Sequence, residues 1–173
     1  MNHKPFSQED YDKNDLKAKI LASRFLLSKG YYRLDIPIKE QHEKFKRLDF
    51  EIFHLLLNRT ILVEAERKID CWDVSGAWQG WPTLDVPFRK NKSEADVYVM
   101  SNKHWDTIAV TKMKEIHGIK PKNKDCRCSN INTKNEPFFR CPLNIFKFFK
   151  SLDKERTKWM EIDPSGNEIK KTT

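Results

Sequence analysis

No stretch of the 173-residue chain approaches the roughly 18 consecutive apolar residues that cross a bilayer, which argues against a membrane partner. The first fifteen residues, MNHKPFSQEDYDKND, are polar and acidic and lack the apolar core of a secretory signal. A cytoplasmic, reducing setting is therefore expected. The four cysteines are then expected as thiols rather than disulfides. Internal repeats and low-complexity tracts are also missing, so the chain reads as one domain of ordinary size with its own core.

What the chain has in plenty is charge. Thirty-three Lys and Arg meet 25 Asp and Glu, a formal net charge of +8, while 38% of residues are hydrophobic and 12% aromatic. That composition supports a folded globule with a basic field. Such a field attracts polyanions, nucleic acid or an anionic surface, and it also keeps small proteins apart in solution.

Residues 1–14 read as an N-terminal arm. Asn14 or Asp15 can cap a helix running to Lys29, with Leu16, Ile20, Leu21 and Phe25 or Leu27 as its apolar face and Gly30 as its stop. YYRLDIPI alternates as a half-buried strand, which Pro37 marks as an edge strand or as ending there, and KEQHEKFKR is a charged connection. LDFEIFHL and TILVEAERKI form a hairpin whose loop centres on Leu57 and Asn58. A Trp- and Gly-bearing loop follows, with room for a short helix, then the strands ADVYVM and TIAVTKM. Residues 112–134 read as a basic loop, PLNIFKFFKSL as a closing helix, and DPSG as the turn of a terminal hairpin. The expected division is an arm at 1–14, a domain at 15–158 and a C-terminal hairpin or tail at 159–173. The expected class is α/β, with α+β as the alternative, around one central mixed sheet flanked by helices.

The segment ILVEAERKID raises the functional question. Period-two alternation puts Glu64, Glu66 and Lys68 on one face and Ile61, Val63 and Ala65 on the other. A hairpin centred between Leu57 and Asn58 sets Asp49 opposite Glu66 and Glu51 opposite Glu64. A tip at Asn58–Arg59 sets Asp49 opposite Lys68 and Glu51 opposite Glu66. In both registers the carboxylates share a face, and like charges directly opposed destabilise a sheet. A hard divalent cation would compensate them, since Mg²⁺ takes carboxylate oxygens, water and phosphate. The other reading is a solvated strand face whose charges pair across the hairpin.

Asp49 followed, after sixteen residues, by Glu66-Arg67-Lys68 resembles the D…(D/E)-x-K signature of the PD-(D/E)XK nuclease superfamily. A helix precedes the first strand, the Asp lies on the second and the ExK on the third. The resemblance spans residues 15–112, with Leu48 where the pattern's proline would stand. It implies a restriction-endonuclease-like fold and a Mg²⁺-dependent endonuclease acting on DNA phosphodiesters, with Mn²⁺ as substitute ion. Asp49 and Glu66 would be metal ligands, Glu64 an accessory ligand and Lys68 the group that assists the attacking water. RNA as substrate is not excluded, and the small size suits a homodimer. A non-catalytic nucleic-acid-binding module of the same fold is the alternative function.

Arg89, Lys90 and Lys92, close after Trp72, Trp78 and Trp81, suit a nucleic-acid rim in which cations meet phosphates and rings meet bases. They equally suit a charged turn beside core tryptophans. Cys126, Cys128 and Cys141, with Cys71 or His117, could bind zinc, but C-x-C…C is not a usual finger spacing, and idle thiols are the stronger reading. Asp96 stands as a strand cap or an outer-shell group.

Overall fold

The computed structural model describes residues 8–30, 32–44, 49–68, 77–128 and 131–170. Helix α1 (Gln8–Ser28) starts well before the expected Asn14–Asp15 cap, so half of the expected arm is helical. It ends as anticipated: Gly30 takes a positive φ of 75° and its N–H donates to the Leu27 carbonyl. Its buried face is Ala18, Leu21, Ala22, Phe25 and Leu26, spaced i, i+3, i+4, i+7, i+8, while Leu27 is exposed. The strand expected at residues 31–38 shrinks to β1 (Tyr32–Arg33), and the charged connection holds α2 (Ile38–Lys44). Gln41 of α2 is 2% exposed. Its amide donates to the carbonyls of Ile36 and Glu51 and accepts the Glu51 N–H, tying α2 to the next strand.

The chain then forms β2 (Phe50–His54), β3 (Arg59–Arg67), β4 (Thr83–Pro87), a 3-10 turn (Phe88–Lys92), β5 (Val97–Ser101), β6 (Thr107–Lys112) and α3 (Met113–His117). The strands β7 (Lys122–Cys128), β8 (Ile131–Pro142), β9 (Lys147–Ser151) and β10 (Trp159–Ile162) complete it. A mixed seven-stranded sheet has the order β1-β2-β3-β5-β6-β9-β10, and a three-stranded sheet the order β4-β8-β7. Within the large sheet β3 and β5 run parallel and every other neighbouring pair is antiparallel. The class is thus mixed α and β, with a second sheet that the sequence reading lacked.

Three of the sequence expectations fail. The expected closing helix PLNIFKFFKSL holds a 3-10 turn and β9 instead. β9 is a central strand buried on both faces, with Phe148 and Phe149 turned to opposite sides, and such a run has no strand-like alternation to read. The supposed basic loop at 112–134 is α3, β7 and the start of β8. The Trp-bearing loop contains β4, whose Leu84 and Val86 are wholly buried between Pro82 and Pro87. The short helix expected in that loop is the 3-10 turn. DPSG does form a turn, with Asp163 N–H donating to Asn167 and Gly166 N–H to Asp163, but β10 before it is the last strand of the large sheet.

Three layers result. One face of the large sheet presents Phe50, Ile52, Ile61, Val63, Ala65, Val99, Ile108 and Phe149 to α1. The other presents Tyr98, Met100, Ala109, Phe148 and Ile162 to the inner face of the small sheet (Leu84, Val86, Phe139, Cys141) and to Met113 and Ile116 of α3. At the β2–β3 turn Leu55, Leu56 and Leu57 are 49%, 71% and 58% exposed, and Asn58 adopts a φ of 48° as the hairpin required.

Candidate functional site

The hairpin register differs from both expected ones. Glu51 lies opposite Leu62 and Ile52 opposite Ile61, so the turn centres one residue earlier, between Leu56 and Leu57. The expected pairs Asp49–Glu66, Asp49–Lys68, Glu51–Glu64 and Glu51–Glu66 are therefore not formed. Carried one residue past its last pair, this ladder sets Asp49 level with Glu64. Glu51 meets an apolar residue, and the one carboxylate pair this register sets side by side, Asp49 and Glu64, is compensated by Lys19 and Lys90.

Asp49 stands where the β2 ladder ends. Its Oδ2 accepts the Ala65 N–H at 2.6 Å, and its Oδ1 meets Lys19 Nζ of α1 at 3.1 Å. Lys19 is 4% exposed and also holds Asp15, one helical turn earlier, at 2.9 Å. Burial works to lower its pKa, but Asp49 and Asp15 outweigh that and hold it above the usual lysine value.

Glu64 and Glu66 occupy successive positions on the face of β3 that also carries Tyr98 and Met100 of β5, roughly 7 Å apart along the strand. Glu64 is 6% exposed, ion-paired with Lys90 and hydrogen-bonded by Ser93 Oγ at 2.9 Å. The 3-10 turn carries Lys90 over the sheet, and burial there lowers its pKa against the pull of Asp49 and Asp15. Glu66 accepts a hydrogen bond from Tyr98, a fully buried residue of β5 whose phenol is held protonated by burial and by the Glu66 charge. Lys68 follows the last residue of β3, half-buried, with its N–H donating to Ser101 at 2.8 Å. Arg67 turns the other way, as alternation requires: its guanidinium lies 4.7 Å from the Trp105 ring and donates to the Lys103 carbonyl.

Asp49, Glu64 and Glu66 thus surround one residue, Ala65, yet each is committed to its own partner. Among the described residues no three His, Cys, Asp or Glu side chains converge as an ion site. No protein-family model, curated protein or solved structure matches this chain. The site must be judged on its own chemistry.

The proposed rim is split. Arg89 and Lys92 are exposed, whereas Lys90 is turned inward onto Glu64, so two of the three cations face solvent. Trp78 belongs to the core, Trp81 is 59% exposed, and Trp72 lies outside the described residues. Asp96 is a structural cap: its carboxylate accepts the Leu62 N–H at 2.9 Å and binds Arg59 at 3.1 Å. Cys141 is buried in β8, its thiol pushed up to about 12 by burial and the nearby Asp85 charge. Cys71 and the side chains of Cys126 and Cys128 lie outside the described residues. Sequence reasoning missed Lys19, Asp15, Tyr98 and Ser93. Asp15 and Lys19 carried a signal in their i, i+4 spacing; Tyr98 and Ser93 carried none.

Proposed function

We propose that the chain is a metal-dependent nuclease of the PD-(D/E)XK type, with Asp49, Glu64, Glu66 and Lys68 as its reacting groups. The observation that carries this reading is the hydrogen bond from the Ala65 N–H to Asp49 Oδ2, which fastens Asp49 to the residue between Glu64 and Glu66. The topology is compatible: a helix comes first, Asp49 directly precedes the second strand, and Glu66-Arg67-Lys68 ends the third beside a parallel neighbour. Ligands of open sheets gather at the carboxyl ends of parallel strands.

The donor set suits Mg²⁺ in type and charge. Four carboxylates (Asp15, Asp49, Glu64, Glu66) are met by two buried ammonium groups (Lys19, Lys90), which leaves negative charge for a hard dication to balance. Asp49, Glu64 and Glu66 would hold the ion once Lys19 and Lys90 yield their contacts. Bound there, it would supply an activated water and charge for the phosphate. The chain's own groups do the rest. Tyr98 fixes the Glu66 carboxylate, the Ala65 N–H and the Ser93 hydroxyl keep Asp49 and Glu64 oriented, and Lys68 brings a cation to the open end of β3, where it can neutralise a phosphate oxygen.

A second reading has a specific observation in its favour. Both oxygens of Asp49 and of Glu64 already have protein partners, as a purely structural ion-pair network would have. That reading makes the chain a nucleic-acid-binding module without turnover. Cleavage of single-stranded, duplex and branched DNA, and of RNA, in Mg²⁺ or Mn²⁺ against chelator separates the two. The nuclease reading expects ion-dependent cutting by wild type and its loss in Glu66→Gln and Lys68→Ala, with folding and binding retained. Ion-independent or absent cutting on every substrate leaves the binding module.

A further inference from the structure

The small sheet packs one face on the core; on the other, Phe138 is buried beside Lys124, while Lys122 and Arg140 reach solvent. Its outer face is set by the register: Lys122 lies opposite Phe138, Lys124 opposite Glu136 and Asp85 opposite Arg140, so these side chains share one side. Lys120, two residues before Lys122, extends the same alternating series KPKNK. Asp85 organises the face. Its Oδ2 holds Lys124 at 2.5 Å, and its Oδ1 faces Arg140 Nε at 3.4 Å without hydrogen-bond geometry, leaving that buried oxygen only the charge of the guanidinium. Lys124 lies 4.8 Å from the Phe138 ring.

Next to this anchored pair is a concavity of about 470 Å³ lined by Pro82, Thr83, Ile119, Lys120, Lys122 and Arg140. Three of the six residues are cations and none is an acid; Asp85 and Glu136 are the acids elsewhere on that face. Lys120 and Lys122 are exposed, and neither forms an ion pair with a described residue. Trp81 adjoins Pro82 in the chain and is the one exposed aromatic side chain among the described residues. Its position is fixed rather than accidental: the Trp78 indole donates to the Trp81 carbonyl, and Gly80 between them takes a φ of 77° that a larger residue would resist.

We propose that this face is a second nucleic-acid contact, in which Lys120, Lys122 and Arg140 seat backbone phosphates of a single-stranded segment and Trp81 stacks on an unpaired base. Charge selects a polyanion. The ring selects unpaired bases, because the bases of a duplex already stack on one another. The inference rests on the nuclease reading only for its place within one substrate; the contact itself needs no turnover.

The experiment is binding of a labelled 20-nucleotide oligo-dT by fluorescence anisotropy across a potassium chloride series. Wild type is compared with Lys120→Ala/Lys122→Ala/Arg140→Ala and, separately, with Trp81→Ala. Lys124 stays in place to neutralise Asp85, and circular dichroism checks the fold. The triple variant should bind at least tenfold more weakly at 100 mM salt, with a slope of log K against log salt shallower by about two, because each single-strand phosphate contact contributes roughly 0.7. Trp81→Ala should weaken binding about five- to tenfold with the slope unchanged. An unchanged triple variant overturns the proposal. So does an equal loss for the matched duplex with no effect of Trp81→Ala, and so does polyglutamate competing as well as oligo-dT at equal charge. Weakened binding in the triple variant of a wild type that cuts nothing keeps this contact and removes the nuclease. Normal binding by the triple variant of a wild type that cuts does the reverse.

Discussion

The acidic strand β3 and the basic outer face of the small sheet use charge in opposite ways. Around Ala65 the charges are buried or half-buried and each has a partner: Asp49 with Lys19, Glu64 with Lys90, Glu66 with Tyr98. At the small sheet Lys120 and Lys122 are exposed, and among the described residues Asp85 is the acid that draws cations inward. Buried charges must be compensated within the fold, because desolvation costs several kcal/mol per ion. Exposed charges are solvated already and are screened beyond about 8–10 Å at ordinary salt. The first region should therefore reveal itself in stability, the second in binding.

The largest effect should come from breaking the buried pair. Lys90→Met leaves Glu64 charged under the 3-10 turn with no cation and only the Ser93 hydroxyl beside it, at an expected cost of about 3–5 kcal/mol by denaturant unfolding. Lys90→Met/Glu64→Leu should recover most of that loss. On the basic face Lys122→Met should stay within about 0.5 kcal/mol. Equal effects at the two lysines would erase the contrast.

A second test uses alkali and a group between the two sheets. Burial and the Asp85 charge push the Cys141 thiol up to about 12 in the fold, against an ordinary thiol value of 9.0. Between those values the unfolded chain gives up the proton and the folded chain keeps it. Stability therefore falls as pH rises, by about 1.4 kcal/mol per unit from this one group. Lys19 adds a loss only above 10.5, its raised value meaning that the stabilising charge goes last. Cys141→Ala should flatten the decline between pH 9 and 11 in urea titrations; an unaltered slope would assign it elsewhere.

The smallest effect belongs to an exposed carboxylate. Asp153 is held at about 2 by the Thr157 hydroxyl and by the backbone N–H groups of Lys158 and Thr157. Its contribution is present above 3.8 and is lost as pH falls toward 2. Asp153→Asn should shift the acid-unfolding midpoint slightly and leave the alkaline limb untouched.

The parts of the fold legible in the sequence each carried a local signal. α1 and the β2–β3 hairpin alternate between apolar and polar at their own period, Gly30 and Asn58 mark turns by the backbone angles they tolerate, and β5 and β6, though buried on both faces, are short runs with β-branched residues. β9, buried on both faces like them, has no β-branched residue to mark it. β7 was illegible because its side chains so far as described are polar, and in KPKNK only the period-two spacing of lysines hinted at a strand. At the site, the shared face of Glu64, Glu66 and Lys68 follows from alternation alone, and so does the opposite turn of Arg67 toward Trp105. The partners did not. Lys19 and Lys90 reach the carboxylates from α1 and from the 3-10 turn, and the hairpin register moved by one turn position, a change that keeps faces but exchanges neighbours.

The placing of β7 has one more consequence. It is an outer strand of the small sheet, with β4 at the opposite edge, and the large sheet is bounded by the two-residue β1 and by β10. An unpaired strand edge is a template on which other chains can grow. Lysines along such an edge repel an incoming copy, and a two-residue edge offers it almost no ladder. Lys122 and Lys124 would thus guard against fibre growth during storage at high concentration. Neutralising them, by acetylation or by substitution with threonine, should shorten the lag before amyloid-dye fluorescence rises, even where the fold is as stable as before.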